Sequence, residues 1–243
     1  MQPKYNWRPF VESMCEEKSG QVKRAGKFFS KLPPYALENF SLIEHPSSYA
    51  ANKVLFREGD AVKTIFVILE GEVRLSVHSK EGRRLCLSIA SPGDIVGLSS
   101  ALTETPSDMT AETLFTSRIA VIGRREFLSF LTNNPTAYQS VTEELGRHMS
   151  LACSQLRNLG LSASAPERLA RLLLEWSDRS RVRGTGSRIR ISMTHEEIGD
   201  FIGTSRETVT RTLSNFKSRR LVAFQGSVMT IPSRTALAAY AHV

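Results

Sequence analysis

The sequence predicts an α+β protein with an N-terminal β-roll, a long central helix and a C-terminal winged helix-turn-helix. Three observations support this prediction. Short β-branched runs are separated at intervals of 12, 11 and 11 residues by Gly59, Gly71, Gly82 and Gly93. Apolar residues then recur at helical spacing from Tyr138 to Leu159. Beyond them lie two short helical patterns that are joined by a turn containing Gly203.

The composition limits the class of protein. The 243 residues are 41% apolar, which suffices for one or two domains and excludes a disordered or collagen-like chain. The apolar runs are too short to cross a bilayer, and the N-terminus has no signal core, so we expect a cytoplasmic protein without a membrane partner. The three cysteines, Cys15, Cys86 and Cys153, are too far apart for a disulfide framework or a metal site. We therefore predict buried free thiols, no metal and no cofactor.

Positive charge is concentrated in the last third of the chain. Residues 166–243 hold 13 basic and 7 acidic side chains, net +6, whereas residues 1–165 hold 19 and 17, net +2. A local excess of this size suits a polyanion such as DNA or an acidic membrane, because released counterions drive the association. A solvated basic surface explains the charge equally well.

The first part of the chain is predicted to form a polar extension over residues 1–24 and a small all-β barrel or roll over residues 25–133. Short helical pieces flank the Pro33-Pro34 break. The clearest strand patterns cover residues 64–69, 73–77, 85–89 and 118–122. In the second of these, apolar residues alternate with Arg74, Ser76 and His78, which predicts one core face and one solvent face.

A long helix is predicted over residues 134–160. Its apolar positions from Tyr138 to Leu159 recur at intervals of 3, 4, 4, 3, 4 and 3, close to the seam of two supercoiled helices. A helix packed only on its own β-roll is the alternative, but its length and its place between domains favour a dimer seam. We expect that seam to contain Val141, Leu145, Met149, Ala152 and Leu156. Residues 161–166 are predicted to form a hinge.

Residues 167–243 are predicted to form a winged helix-turn-helix domain. Thr194 and Glu197 have the spacing of a capping box that begins a short helix. Gly203 stands where this helix must turn, and Thr204 or Ser205 is able to cap the next helix.

The second helix has two faces that suit different surroundings. At about 100° per residue, one face carries Val209, Leu213 and Phe216, which we expect to pack on Ile198, Ile202 and Leu221. The other face is free to enter a major groove, where arginine donates to guanine and glutamate accepts from cytosine. An ordinary charged surface helix is the alternative. The predicted base-reading residues are Arg206, Glu207, Thr210 and Arg211.

Residues 221–231 are predicted to form a hairpin wing around Gly226. Three nearby basic residues are placed to contact phosphate, which positions a domain without reading sequence. They are Lys217, Arg219 and Arg220.

The most specific motif is Glu197-Ile-Gly followed by Gly203-Thr-Ser-Arg-Glu-Thr-Val-Thr-Arg. With it, the chain from Phe28 to Ile231 resembles the CRP/FNR family of bacterial transcription regulators. The resemblance implies a cyclic-nucleotide-binding-like roll and a homodimer that reads an inverted repeat with TGTGA-like half-sites. It assigns base-reading slots to Arg206, Glu207 and Arg211, and it assigns phosphate contacts to Thr194 and Ser205. The implied partners are an operator in double-stranded DNA, a second copy of the chain and RNA polymerase.

The sensor half departs from the family pattern. Cyclic-nucleotide-binding members carry a glutamate where this chain has Leu98 and an arginine near the place where it has Asp108. Because a ribose favours a carboxylate and a cyclic phosphate favours a guanidinium, these differences disfavour cyclic AMP and cyclic GMP. An unidentified small effector, a protein signal and the absence of any ligand stay open. The candidate effector pocket consists of Gly97, Leu98, Ser99, Met109 and Thr110.

Two other classes of function are alternatives to DNA reading. One is a β-roll ligand sensor that acts through protein partners without reading DNA, and the helix-turn-helix pattern argues against it. The other is an enzyme, which we exclude because no nucleophile-base set, phosphate loop or metal spacing is present. The five histidines are scattered, which disfavours a haem or metal site.

Overall fold

The computed structural model describes residues 28–161, 164–179, 187–190, 193–226 and 228–241. The predicted extension over residues 1–24 and part of the predicted hinge lie outside these ranges, as does Cys15. None of the helices in the described residues is long and apolar enough to cross a membrane.

Two four-stranded antiparallel sheets form the N-terminal β-roll. One has the strand order β1-β8-β3-β6 and the other the order β2-β7-β4-β5. The four strands with clear sequence patterns, β3, β4, β5 and β8, are confirmed, whereas the other four are short and lack an alternating apolar run. The strands are β1 (His45–Tyr49), β2 (Val54–Phe56), β3 (Thr64–Glu70), β4 (Val73–His78), β5 (Arg84–Ala90), β6 (Ile95–Val96), β7 (Thr110–Thr113) and β8 (Ser117–Gly123).

Strand β3 is buried on both faces, which explains its unbroken apolar sequence. Phe66 and Ile68 point into the interior of the roll, where they meet residues from the other sheet. Ile65 and Val67 point outward into a second core that the helices cover. A strand between two apolar layers needs no polar alternation.

Four helices pack on the roll or extend from it, and a fifth helix, α5, packs in the core of the C-terminal domain. After a 3-10 turn at Phe29–Lys31, α1 begins with Pro34 at its first position, where a missing N–H costs no helical hydrogen bond. Phe40 of α1 packs against Phe127 and Phe130. The helices are α1 (Pro34–Ile43), α2 (Leu98–Thr103), α3 (Arg124–Asn133), α4 (Ala137–Leu161) and α5 (Ala165–Arg179).

The C-terminal domain is a winged helix-turn-helix, as predicted. A three-stranded sheet with the order β10-β11-β9 completes it. The predicted hairpin around Gly226 is confirmed, whereas β9 was not predicted from the sequence. The elements after α5 are β9 (Ser187–Arg190), α6 (His195–Ile202), α7 (Arg206–Ser218), β10 (Ala223–Gln225), β11 (Val228–Ile231) and α8 (Arg234–Tyr240).

The apolar residues of helix α4 differ widely in exposure. Val141 is only 5% exposed and belongs to the core between the roll and its helices, and Leu145 is half-buried against that core. Tyr138, Met149 and Leu156, by contrast, are 50%, 66% and 69% exposed. The predicted seam therefore divides between the protomer's own core and an open stripe.

Two residues of the polar face of β4 are not solvated, contrary to the sequence prediction, whereas His78 at the end of the strand is exposed as predicted. Arg74 is 4% exposed and Ser76 is 1% exposed. Helix α6 of the C-terminal domain packs over β5 beside them, and α4 contacts the same strand. Alternation in the sequence correctly separated two faces, but it did not reveal that a second domain covers the outer one.

The cysteines were expected to be buried. Cys86 is buried on β5 and Cys153 is exposed on α4, so the expectation is wrong for Cys153. Burial raises the pKa of the Cys86 thiol, which keeps it protonated at neutral pH.

Candidate nucleic-acid interface

Helix α6 begins with the predicted capping box. Oγ1 of Thr194 accepts a hydrogen bond from the N–H of Glu197 at 3.2 Å. In return, Oε2 of Glu197 accepts from the N–H of Thr194 at 2.8 Å. The helix ends at Gly203, whose φ of +60° is the left-handed conformation that glycine adopts with little strain.

The turn between α6 and α7 depends on a second glycine. A Cβ atom at Gly199 would lie 2.6 Å from the carbonyl oxygen of Thr204, so a side chain at this position would force the turn away from the helix. Ser205 then caps α7, because its Oγ accepts from the N–H of Thr208 at 3.3 Å. Of the two caps that the sequence allowed, the structure uses Ser205.

One face of α7 is anchored in the domain core. Val209, Leu213 and Phe216 are 0%, 5% and 0% exposed. They share that core with Ile198 and Ile202 of α6, and Leu221 packs against it, as predicted. The helix therefore has a fixed rotation about its own axis, which determines the side chains that it presents to solvent.

The opposite face is open. Arg206, Glu207, Thr210 and Arg211 are all exposed near the N-terminal end of α7. Glu207 accepts hydrogen bonds from its own backbone N–H and from the Ser205 hydroxyl, and both lower the pKa of its carboxyl group. At neutral pH Glu207 is therefore a negatively charged acceptor between two cationic arginines.

Thr210 is already hydrogen-bonded within the protein. Its hydroxyl donates to the carbonyl oxygen of Arg206 at 2.9 Å. Its Oγ1 also lies 2.8 Å from Nδ1 of His195. Because the hydroxyl proton is used in the helix, Nδ1 of His195 is the donor of the second bond. The proton of the Thr210 hydroxyl is therefore already engaged within the protein.

His195 is a residue of this surface that sequence analysis missed. It was grouped with four scattered histidines because none had a metal-ligand spacing. Its position directly after the capping residue Thr194 was the available signal, because the first turn of α6 lies beside α7 in a helix-turn-helix.

The candidate phosphate contacts lie at helix ends and near the wing. Thr194 and Ser205 are exposed caps at the N-termini of α6 and α7, where backbone N–H groups and the helix dipole favour an anion. Lys217, Arg219 and Arg220 are exposed at the C-terminal end of α7. The guanidinium of Arg219 stacks 5.7 Å from the centre of the Tyr240 ring.

The candidate effector residues are divided between two cores. Leu98 is 1% exposed in the core on the helix side of β3, whereas Met109 packs against the interior of the roll. Oγ1 of Thr110 accepts from the N–H of Glu58 at 3.1 Å. Gly97 begins α2 with a φ of +83°, and Ser99 is exposed. Because Leu98 and Met109 belong to different cores, the structure does not bring all five residues together.

Potential metal ligands do not gather anywhere in the described part of the chain, where groups of three or more His, Cys, Asp or Glu side chains are absent.

A β-roll that is joined by a long helix to a winged helix-turn-helix with an open charged face defines a two-domain DNA-binding regulator. Comparison with known families agrees with this class. Residues 46–134 match the family model of the cyclic nucleotide-binding domain, and residues 167–240 match that of the Crp-like helix-turn-helix domain. The chain belongs to the CRP/FNR family of transcription regulators, which are not enzymes.

Individual relatives cover most of the chain. The transcriptional activatory protein AadR of Rhodopseudomonas palustris is 28% identical over 193 residues, 79% of each chain. The CRP-like cAMP-activated global transcriptional regulator of Mycobacterium tuberculosis is 26% identical over 218 residues, 89% of this chain and 96% of the relative. The structure of FixK2 from Bradyrhizobium japonicum has the same fold, with a TM-score of 0.73, 23% identity and coverage of 82% and 97% of the two chains.

Proposed function

We propose that this regulator binds a specific inverted repeat as a homodimer, with α7 of each protomer in a major groove. The observation that carries the proposal is the pairing of two faces on α7. Val209, Leu213 and Phe216 fix the helix in the core, while Arg206, Glu207 and Arg211 project from it without obstruction. The C-terminal excess of positive charge favours the approach to phosphate.

The proposed half-site is TGTGA-like. Each guanine offers O6 and N7 to an arginine, and its paired cytosine offers an N4 donor to a carboxylate. Arg206 and Arg211 supply the guanidiniums, and the ionised Glu207 supplies the carboxylate. The twofold symmetry of a dimer matches the inverted repeat, and successive major grooves on one side of the duplex lie about 34 Å apart.

The binding experiment compares a TGTGA-N6-TCACA duplex with a scrambled duplex of equal length and composition at one salt concentration. We expect at least about a thousandfold tighter binding to the inverted repeat. Equal affinity for the two duplexes would contradict sequence reading and would favour the alternative sensor that acts through protein partners.

The homodimer is proposed to form along the open stripe of α4. Tyr138, Met149 and Leu156 expose half or more of their surface, and Ala152 lies between them. Contiguous apolar surface of this kind marks an interaction site. Val141 is not expected to contribute, because it is buried in its own protomer. Leu145 is half-buried and lies at the edge of the stripe.

The stripe is tested by sedimentation of two variants of α4. Leu156→Glu places a charge on the stripe and is expected to yield monomers. Ser150→Glu adds the same side chain at an exposed position on another side of the helix and is expected to leave dimers intact. A dimeric Leu156→Glu variant would show that the protomers associate elsewhere.

The signal is proposed to act on the roll and to change the arrangement of the two reading helices. A relative is described as cAMP-activated, but Leu98 offers neither charge nor exposure to a ribose. We therefore expect saturating cyclic AMP to leave operator affinity unchanged. Native mass spectrometry of protein purified from its own cell is expected to reveal any different effector as retained mass. At the promoter, the bound dimer is proposed to act with RNA polymerase.

A further inference from the structure

The outer face of β4 and β5 carries two arginines that bind the first helix of the helix-turn-helix. NH1 of Arg74 lies 3.3 Å from Oε1 of Glu197, and its NH2 lies 2.6 Å from Oε2 of Glu112 on β7. Arg84 donates from Nε at 2.7 Å and pairs through NH2 at 2.6 Å with Oδ2 of Asp200. We name Arg74, Arg84, Glu197 and Asp200 the interdomain joint.

The long helix α4 contributes to the same junction. Nε2 of Gln155 donates to the carbonyl oxygen of Cys86 on β5 at 3.0 Å and to that of Phe201 on α6 at 2.7 Å. Nε of Arg168 on α5 donates to the carbonyl oxygen of Ile202 at 2.7 Å. The roll, the long helix and the reading domain therefore meet at one place.

The joint is largely removed from water. The side chains of Arg74 and Asp200 are 5% and 15% exposed, and those of Arg84 and Glu197 are 26% and 27% exposed. Nε of Arg74 and Oγ of Ser76 are buried without a hydrogen-bond partner among the described residues. Because burying these polar groups is unfavourable, apolar packing alone does not explain why α6 is held there. The ion pairs Arg74–Glu197 and Arg84–Asp200 supply the attraction, and they fix the orientation of α6 on the roll.

The joint leaves the reading surface free. Arg206, Glu207 and Arg211 are exposed while α6 is docked on the roll, so docking does not block DNA. Glu197 takes part both in the cap of α6 and in the interdomain joint, because its Oε2 closes the capping box and its Oε1 pairs with Arg74. Its position ties the start of α6 directly to the sensor domain.

We propose that Arg74 and Arg84 are positioning residues that hold α6, and through it α7, in the orientation required to bind two half-sites at once. This inference rests on the proposed function. Once α7 of one protomer has bound its half-site, α7 of the other protomer binds the second half-site within the same complex. The effective concentration for this second step depends on how rigidly that helix is held. A loose domain loses this advantage, although each domain still binds a single half-site.

The test measures affinity for a duplex with one half-site and for a duplex with the full inverted repeat. Arg84→Ala is expected to weaken binding to the full repeat by about tenfold or more and to leave the single half-site unchanged. Arg84→Lys keeps the charge and is expected to restore most of the loss. Arg118→Ala removes an arginine of the same roll that pairs with Glu70, and it is expected to change neither affinity.

Asp200→Asn provides an independent variant, since it removes the charge from α6 with little change of volume. It is expected to reproduce the loss on the full repeat, and the double variant with Arg84→Ala is expected to lose no more than either single variant. Circular dichroism checks that each variant is folded. A variant whose spectrum matches that of the wild type reports on positioning and not on loss of the fold.

The outcomes separate the inference from the proposed function. The positioning role would be overturned if Arg84→Ala and Asp200→Asn lost equal affinity for both duplexes. It would also be overturned if neither variant lost affinity for the full repeat. In both cases sequence-specific binding would stand. If the wild-type protein prefers neither duplex over scrambled DNA, the proposed function itself fails and the positioning role fails with it.

Discussion

Nδ1 of His195 lies 2.8 Å from Oγ1 of Thr210, so the first turn of α6 is bonded to the exposed face of α7. The Thr210 hydroxyl also donates to the carbonyl oxygen of Arg206. These two bonds fix the Thr210 side chain and engage its hydroxyl. Its methyl group is left as the part that a base can contact, and the natural partner of a methyl group in the major groove is the methyl of thymine.

Two substitutions of Thr210 separate its methyl group from its hydroxyl. Thr210→Val keeps the methyl group, and we expect the sequence preference to persist. Thr210→Ser removes it, and we expect a loss of about 1 kcal/mol of discrimination at one base pair. The measurement is competition binding with thymine replaced by uracil at each operator position. If the valine variant loses as much discrimination as the serine variant, the hydroxyl is the reading group.

Base contacts and phosphate contacts are expected to respond differently to mutation. Arg211→Ala should relax the preference at one base pair by about 1–3 kcal/mol, because a bidentate pair with guanine is lost. Lys217→Ala should weaken binding to every sequence alike and reduce the slope of affinity against salt by about one. Arg125→Ala, an exposed arginine on α3, is the matched control and should change neither quantity.

Substitutions of two glycines are expected to have opposite effects on the free energy of unfolding, because one glycine lies against a turn and the other faces open space. Gly199→Ala places a Cβ atom against the carbonyl oxygen of Thr204, and we expect it to lower the free energy of unfolding by about 1–3 kcal/mol. Gly146→Ala has open space on α4 and is expected to raise it by about 1 kcal/mol, because alanine favours helix. Denaturant unfolding gives both values, and a stable Gly199→Ala variant would contradict the close contact.

Arg220 ends α7 in a conformation that suits glycine better. Its φ is +57°, and the N–H of Leu221 donates back to the carbonyl oxygen of Phe216 at 2.9 Å. Arg220→Gly is expected to stabilise the domain by about 1 kcal/mol and to weaken DNA binding, because a positive charge is lost. Thermal unfolding and salt-dependent binding measure the two effects. Arg219→Gly, at a φ of -83°, serves as the control that loses charge without relieving strain.

A buried carboxylate on α4 makes stability depend on acid. Burial opposes ionisation of Glu144, but hydrogen bonds from His148 and Arg147 outweigh it and lower the pKa from 4.5 to about 2. A lowered folded-state pKa contributes stability that is complete above the unfolded value of 4.5 and is lost as the pH falls towards 2. The contribution is on the order of 3 kcal/mol.

Glu144→Gln is expected to flatten the fall in unfolding free energy between about pH 4.5 and pH 2. Glu38→Gln changes an exposed carboxylate on α1 and is the matched control. Denaturant titrations across this range check both variants. An unchanged slope in Glu144→Gln would assign the acid sensitivity to other groups.

The amino-acid sequence by itself determined the local elements whose signals lie within a few residues. The capping box of Thr194 and Glu197, the end of α6 at Gly203 and the apolar face of α7 are all confirmed, because capping and helical periodicity act over one or two turns. The longer strands were predictable for the same reason. Strands such as β6, with two residues, form only because neighbours in the sheet hold them.

Only the tertiary structure decided which surfaces meet. The alternation around Arg74 and Ser76 predicted a solvated face, yet α6 covers it, because the carboxylates that pair with the arginines lie more than a hundred residues away. For the same reason, spacing did not show that Val141 faces its own roll, or that His195 reaches Thr210. Contacts between distant segments depend on how whole domains pack, and a local sequence pattern does not predict that packing.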